Sequence, residues 1–176
     1  MDIPSLHLPP LPSSGPVRIL FICLGNICRS PAAQGMMQST VDERGLTGSF
    51  LIDSAGTGGY HIGSLPDQRM RAHARRRGLI LDHRCRQVSE SDFADFDIII
   101  GMDASNVADL RRLAPTPEAM AKVMPMSAFF ALATRYDYVP DPYYEGAEGF
   151  ELVLDLLADA TLNLLDTVMA ARCATD

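Results

Sequence analysis

The chain has 176 residues, 47% of them hydrophobic, and a formal net charge of −7 at pH 7. That balance suits one domain with a full core and disfavours a nucleic-acid partner. No apolar run approaches the roughly 18 residues of a membrane span, and the N-terminus lacks a signal peptide's basic start and apolar stretch, so no membrane association and a cytoplasmic location are expected.

Residues 1–16 hold Pro4, Pro9, Pro10, Pro12 and Pro16 with no helix or strand period. They read as a disordered or polyproline-like tail ahead of a domain over 17–176. Val17 to Ile22 is an apolar run of strand length. A helix is expected near 31–44, with Ser30 as N-cap and Pro31 at its first position. Phe50 to Ser54 reads as a second strand. Pro66 opens a helix that ends at Gly78, a left-handed cap. Asp97 to Gly101 is a third strand, and Asp103 caps a helix to Leu113. Lys122 to Met124 is a short fourth strand. Gly149 to Arg172 is a long helix, with Glu148, Glu151, Asp155, Asp159 and Asp166 as its wet stripe. Strands alternating with helices imply an α/β fold, a parallel sheet covered on both faces. Ligand sites in such sheets lie at the carboxyl ends of the strands.

Cys23 stands at such an end. The run Cys23-Leu24-Gly25-Asn26-Ile27-Cys28-Arg29-Ser30-Pro31 joins the first strand to the first helix. Backbone N–H groups and the helix dipole at that junction can hold an anion. The same donors favour thiolate, so Cys23 is expected to be partly ionised. Arg29 offers a planar fork for two phosphate oxygens. Asn26 tolerates the left-handed conformation that a tight cradle needs. Ser30 can hydrogen-bond the thiolate, cap the helix, or do both. No zinc-type C-x-x-C spacing links Cys23, Cys28, Cys85 and Cys173, and a structural disulfide is not expected in a cytosolic chain. Cys85 and Cys173 have no assigned chemistry.

Charge is spread unevenly. Arg69, Arg71, Arg75, Arg76, Arg77, Arg84 and Arg86 face only Asp67 and Asp82 in their window, while residues 137–166 hold eight acidic side chains and no Lys or Arg. Solvated helix faces account for this, and a docking patch for an acidic partner is the sharper reading.

Cys23 to Pro31 resembles the signature loop of the low-molecular-weight protein tyrosine phosphatases, and Asp141-Pro142-Tyr143-Tyr144 resembles that family's second signature. Ile52 to Thr57, His83 before Arg86-Gln87-Val88, and Gly101 to Asn106 are similar to further family segments in the same order. The resemblance covers about residues 17–172. It implies a flavodoxin-like three-layer sandwich with a four-stranded parallel sheet in order 2-1-3-4. It also implies hydrolysis of phosphotyrosine without metal or other cofactor, through a cysteinyl-phosphate. Cys23 would be the nucleophile, Arg29 the clamp and Asp141 the acid and then the base. Leu24, Gly25, Asn26, Ile27, Cys28 and Ser30 would complete the phosphate loop, with Asn26, Ser54 and His83 as its brace. Leu24, Ile27, Tyr60, Tyr143 and Tyr144 would wall the substrate cleft. The implied partner is a tyrosine-phosphorylated protein, by family analogy a bacterial tyrosine kinase of an exopolysaccharide system; a monomer is expected.

The roles also stand on chemistry. Phosphoryl transfer asks the protein chiefly for positioning and charge stabilisation. Phenol has a pKa near 10, so its anion leaves poorly at neutral pH without an acid. Cys28, five residues from Cys23, is either a small buried thiol or a redox partner that resolves an oxidised Cys23 as a disulfide. Two rival functions use the same loop. A thiol-linked arsenate reductase needs two further cysteines close in sequence, which are missing here, and has no use for Asp141. A non-catalytic phosphotyrosine-binding module normally lacks the nucleophile, clamp or acid, and all three residue types are present.

Overall fold

The computed structural model describes residues 6–132 and 134–175. Four parallel strands form one sheet in the order β2-β1-β3-β4, with β1 at Val17–Cys23, β2 at Phe50–Gly56, β3 at Ile98–Gly101 and β4 at Val123–Pro125. The helices are α1 (Arg29–Glu43), α2 (Gln68–Arg76), α3 (Asp92–Asp95), α4 (Ala104–Leu113), α5 (Pro117–Met120) and α6 (Ala147–Cys173). The parallel sheet is the one expected from the alternation of strands and helices, and its order 2-1-3-4 is the one the family resemblance implies.

The alternating faces of β1 explain the layers. Ile19 and Phe21 join a core with residues of α1 and α6, while Leu20 and Ile22 join a second core with Phe93, Phe96, Val107 and Leu110. All four side chains are fully buried. Two-sided burial leaves no polar alternation in the strand, which is why it reads as a continuous apolar run. The register aligns Cys23 with Gly56 on one side and Ile22 with Gly101 on the other. Three strand ends therefore meet at one edge of the sheet, where the chain turns into α1.

Several boundaries differ from the sequence expectation. Helix α1 begins at Arg29, not Pro31, and its N-cap position is Cys28, with no side-chain cap. Ser30 is inside the helix, and its hydroxyl bonds the thiol of Cys23 instead. Helix α2 begins after Asp67, whose carboxylate accepts from the N–H groups of Arg69 and Met70. That cap, rather than Pro66, sets the start. The short helices α3 and α5 have no counterpart in the sequence reading, because four residues are too few for a helical period to register.

The tail also differs from expectation. Residues 6–16 have no helix or strand, yet Leu6, Leu8 and Leu11 pack against the main core and Pro9 is buried. Arg172 near the end of α6 donates to the carbonyl of Gly15. Three leucines spaced along a proline-rich stretch supply an apolar edge, which disorder would leave in water. Residues 1–5, including Pro4, lie outside the described residues.

Candidate active site

The loop from Cys23 to Ser30 is built around Asn26, a fully buried residue and the one non-glycine residue with a positive φ, 58°, among the described residues. Its amide nitrogen donates to Ser30 Oγ at 2.8 Å and to Ser54 Oγ at 3.0 Å. Its amide oxygen accepts from His83 Nε2 at 3.0 Å and from the Arg86 N–H at 3.0 Å. Its carbonyl accepts from Cys85 Sγ at 2.8 Å. The expected brace residues Asn26, Ser54 and His83 are thus joined directly. Burial pushes the His83 imidazole below its ordinary pKa, outweighing the nearby Asp53 carboxylate. A neutral ring with its proton on Nε2 suits the acceptor that Asn26 presents.

Ser30 Oγ lies 3.0 Å from Cys23 Sγ. The same hydroxyl accepts from Asn26, so its own proton is available to the sulfur or to the Ala55 carbonyl at 3.4 Å. Ser54 donates to Gln34 of α1 at 2.6 Å, which ties the brace to the helix that follows the loop.

Arg29 is almost completely buried. Its Nη1 donates to Asp103 Oδ2 at 2.6 Å and to the Val139 carbonyl at 3.1 Å, and its Nη2 is 3.7 Å from Asp141 Oδ2. Burial works against its charge, but Cys23, Asp103 and Asp141 outweigh this and hold its pKa above the ordinary value. Asp103 carries two duties, since its other carboxylate oxygen accepts from Asn106 N and caps α4. Asp141 is turned by a local bond, its Oδ1 accepting from the N–H of Tyr143 at 3.1 Å. The expected nucleophile, clamp and acid therefore meet across a separation of 118 positions in the sequence.

A cavity of about 360 Å³ opens over this group. Cys23, Leu24, Gly25, Ile27, Cys28, Arg29, Tyr60, His61, Asp141, Tyr143 and Tyr144 line it. Every residue expected at the cleft wall is present. Tyr143 and Tyr144 pack edge to face with centroids 4.9 Å apart, and Tyr144 is 94% exposed. Its ring forms the rim rather than the floor. Cys28 is buried, and burial, reinforced by Asp67 and Cys23, pushes its thiol well above the ordinary value.

Sequence reasoning missed five contributors. Asp103 was assigned only a helix cap, and Cys85 no role. His61 lines the cavity, Gln34 extends the brace, and Arg69 lies 5.3 Å over the Tyr143 ring and 4.9 Å over Phe150. A signal existed for Asp103, which sits inside a segment already matched to the family. None existed for Arg69, whose partners come from the far end of the chain.

The family model of the low molecular weight phosphotyrosine protein phosphatases matches residues 18–173. The chain belongs to that family. A low molecular weight protein-tyrosine-phosphatase of Streptomyces coelicolor is 41% identical over 152 residues, covering 86% of this chain and 93% of that one. Among solved structures, a protein tyrosine phosphatase from Entamoeba histolytica with Hepes in its active site superposes with a TM-score of 0.85 at 40% identity. The match covers 89% of this chain and 99% of that chain. A Drosophila arginine phosphatase superposes with a TM-score of 0.79 at 30% identity, over 85% and 96% of the two chains. The segment 6–16 lies outside the region matched by the phosphatase family model.

Gly56 shows how closely the phosphatase loop is seated. A Cβ there would lie 2.6 Å from the Leu24 carbonyl oxygen, 3.0 Å from that of Gly58 and 3.1 Å from the Asn26 nitrogen. These are backbone atoms and cannot swing aside. Gly56→Ala is expected to cost about 1–3 kcal/mol in thermal or denaturant unfolding. Gly48→Ala, where nothing lies within 4 Å, should stay within about 0.5 kcal/mol of the parent. Equal effects at the two sites would show that the loop does not rest on Gly56.

Proposed function

We propose that this phosphatase hydrolyses protein phosphotyrosine and small aryl phosphates by a metal-independent, two-step reaction through Cys23. The observation that carries the reading is the convergence on one cavity of Cys23, Arg29 and Asp141, with Ser30 against the sulfur. The phosphate dianion sits on the loop N–H groups and the α1 N-terminus, whose N-cap position carries no side-chain hydrogen bond. Arg29 Nη1 is engaged by Asp103 and Val139, so the bidentate grip falls to Nη2 and Nε. The Cys23 thiolate attacks phosphorus as the P–O bond to the tyrosine breaks. Asp141 gives its proton to the departing phenolate oxygen. In the second step water attacks the cysteinyl-phosphate and yields its proton to the Asp141 carboxylate. Inorganic phosphate leaves, and Ser30 hydrogen-bonds the thiolate that is released.

Leu24, Ile27, Tyr60 and Tyr143 favour an aromatic ring in the cleft. A phosphorylated guanidine would want carboxylates along its edge, and among the described residues Asp141 is the single one lining the cavity. We therefore assign phosphotyrosine rather than phosphoarginine. The physiological partner is proposed to be a tyrosine-phosphorylated protein, by family analogy a bacterial tyrosine kinase, met by a monomer in the cytoplasm. Among the described residues no helix is long and apolar enough to cross a membrane. Cys28 is proposed as the redox partner of Cys23. Peroxide oxidises the Cys23 thiolate to a sulfenic acid, releasing hydroxide. The Cys28 sulfur then displaces its oxygen as water, giving a Cys23–Cys28 disulfide that a dithiol reduces.

Hydrolysis of an aryl phosphate in chelator tests the reading. Wild type should turn over, and Cys23→Ser should lose more than about a thousandfold in kcat while still binding phosphate. Turnover near wild type in that variant would remove Cys23 from the nucleophile's role. Asp141→Asn should slow the phosphorylation step by about a hundredfold or more with phenyl phosphate, and far less with an ester whose leaving group needs no proton. Equal losses across a leaving-group series would take the acid role from Asp141. After peroxide treatment, dithiothreitol should restore wild type, and peptide mapping should join Cys23 to Cys28. Cys28→Ser should recover far less; full recovery there would leave Cys28 a packing residue.

A further inference from the structure

The seven arginines between 69 and 86 divide into two groups in the structure. Arg69, Arg77 and Arg86 are neutralised locally: Arg69 by Asp67, Arg77 by Glu151 and Asp155, and Arg86 by Asp53 and Asp92. Arg71, Arg75, Arg76 and Arg84 have no carboxylate partner among the described residues. In a chain of net charge −7, four unpaired arginines so close in sequence call for a separate account.

Their placement supplies one. Arg71 Nε donates to the Pro66 carbonyl at 3.0 Å, and Arg84 Nη1 donates to the Gly63 carbonyl at 3.4 Å. Both lie against the 60–66 loop, which carries Tyr60 and His61 into the cavity wall. Arg75 is one helical turn beyond Arg71 on the same side of α2, and it is exposed, as is Arg84. These three form a basic shoulder that begins beside the cavity's Tyr60 wall. Asp141 also borders a neighbouring pocket lined by Arg135, Glu145 and Glu148.

We propose that the shoulder of Arg71, Arg75 and Arg84 docks an acidic segment flanking the phosphotyrosine of a protein substrate. This rests on the phosphotyrosine reading above and extends it to the substrate's sequence. The docking is electrostatic and exposed, so added salt weakens it.

The test compares phosphotyrosine peptides of equal length carrying four Glu on the N-terminal flank, four Glu on the C-terminal flank, or Gln throughout. At low salt, one acidic peptide should exceed the Gln peptide in kcat/KM by about five- to tenfold, the sum expected of a few exposed ion pairs. The advantage should fall towards unity in about 0.5 M salt. Arg75→Glu/Arg84→Glu should abolish or reverse it, with turnover of a small aryl phosphate unchanged. Arg111→Glu/Arg112→Glu makes the same charge change on the exposed end of α4 and should retain it. Equal kcat/KM for the three peptides, or a preference that survives in Arg75→Glu/Arg84→Glu, would overturn the docking. So would peptide indifference combined with arginine-dependent binding to phosphatidylserine vesicles, which would assign the shoulder to a membrane surface. Wild type that fails on the small aryl phosphate would instead overturn the phosphatase reading, and the docking with it.

Discussion

The site depends on one buried asparagine held in a left-handed backbone conformation. An L-residue pays for that conformation with steric crowding, and Asn26 offsets it by satisfying both ends of its amide inside the protein. Ser30, Ser54, His83 and Arg86 each supply one bond, from α1, from β2 and from the segment that follows α2. The loop is thus tied to three parts of the fold at a single side chain. This frees its backbone N–H groups from closing the loop themselves. A cradle for an oxyanion needs that freedom, because preorganised donors stabilise charge only if they need not be rearranged when it arrives.

The second constraint is the burial of a guanidinium. Arg29 would be costly so far from water without compensating charge and hydrogen bonds. Asp103 and the Val139 carbonyl meet its Nη1 with hydrogen bonds, and Asp141 stands 3.7 Å from Nη2 as an ion pair beyond hydrogen-bonding distance. The firm partners fix the fork in the fold, and the looser one belongs to the exposed segment. Asp103 also caps α4, so the start of that helix and the seat of the arginine are set by one carboxylate. The segment 139–144 is tied to the body through Val139, whose N–H donates to the Met102 carbonyl and whose own carbonyl accepts from Arg29.

Outside the site the charges sort by partner. Glu151 of α6 joins His73 of α2 and Arg77 just beyond its end, and the His73 ring stacks on Phe150 with centroids 5.5 Å apart. The acidic stripe of α6 is in this way partly consumed in holding α2 to the body, while Asp159 accepts from the N–H groups of Ala131 and Leu132. Arg69 bridges the same helix to the tyrosine wall by lying over Tyr143 and Phe150. Helix α2 is therefore held to α6 through His73 and to the tyrosine wall through Arg69.

The sequence by itself determined the strand-and-helix alternation, the position of the reactive cysteine at a strand end, and the chemistry of the loop. These are local properties: an apolar run, a glycine and an asparagine in a tight turn, and an arginine at a helix start are legible within a few residues. The family match extended that reading to Ser54, His83 and Asp141. Where α1 starts was decided by tertiary structure, because the hydroxyl of Ser30 is claimed by Cys23 and Asn26 instead of capping the helix. Tertiary structure alone also decided that Asp103 seats Arg29 and that Cys85 bonds the Asn26 carbonyl. Those bonds join residues 74 and 59 positions apart. The proline-rich segment makes the same point, since its leucines are apolar in the sequence but find a surface to cover only once α6 and the sheet have closed on each other. Periodicity reports what a segment does to itself; which distant group satisfies a buried charge or carbonyl is set by how the sheet brings its strand ends together.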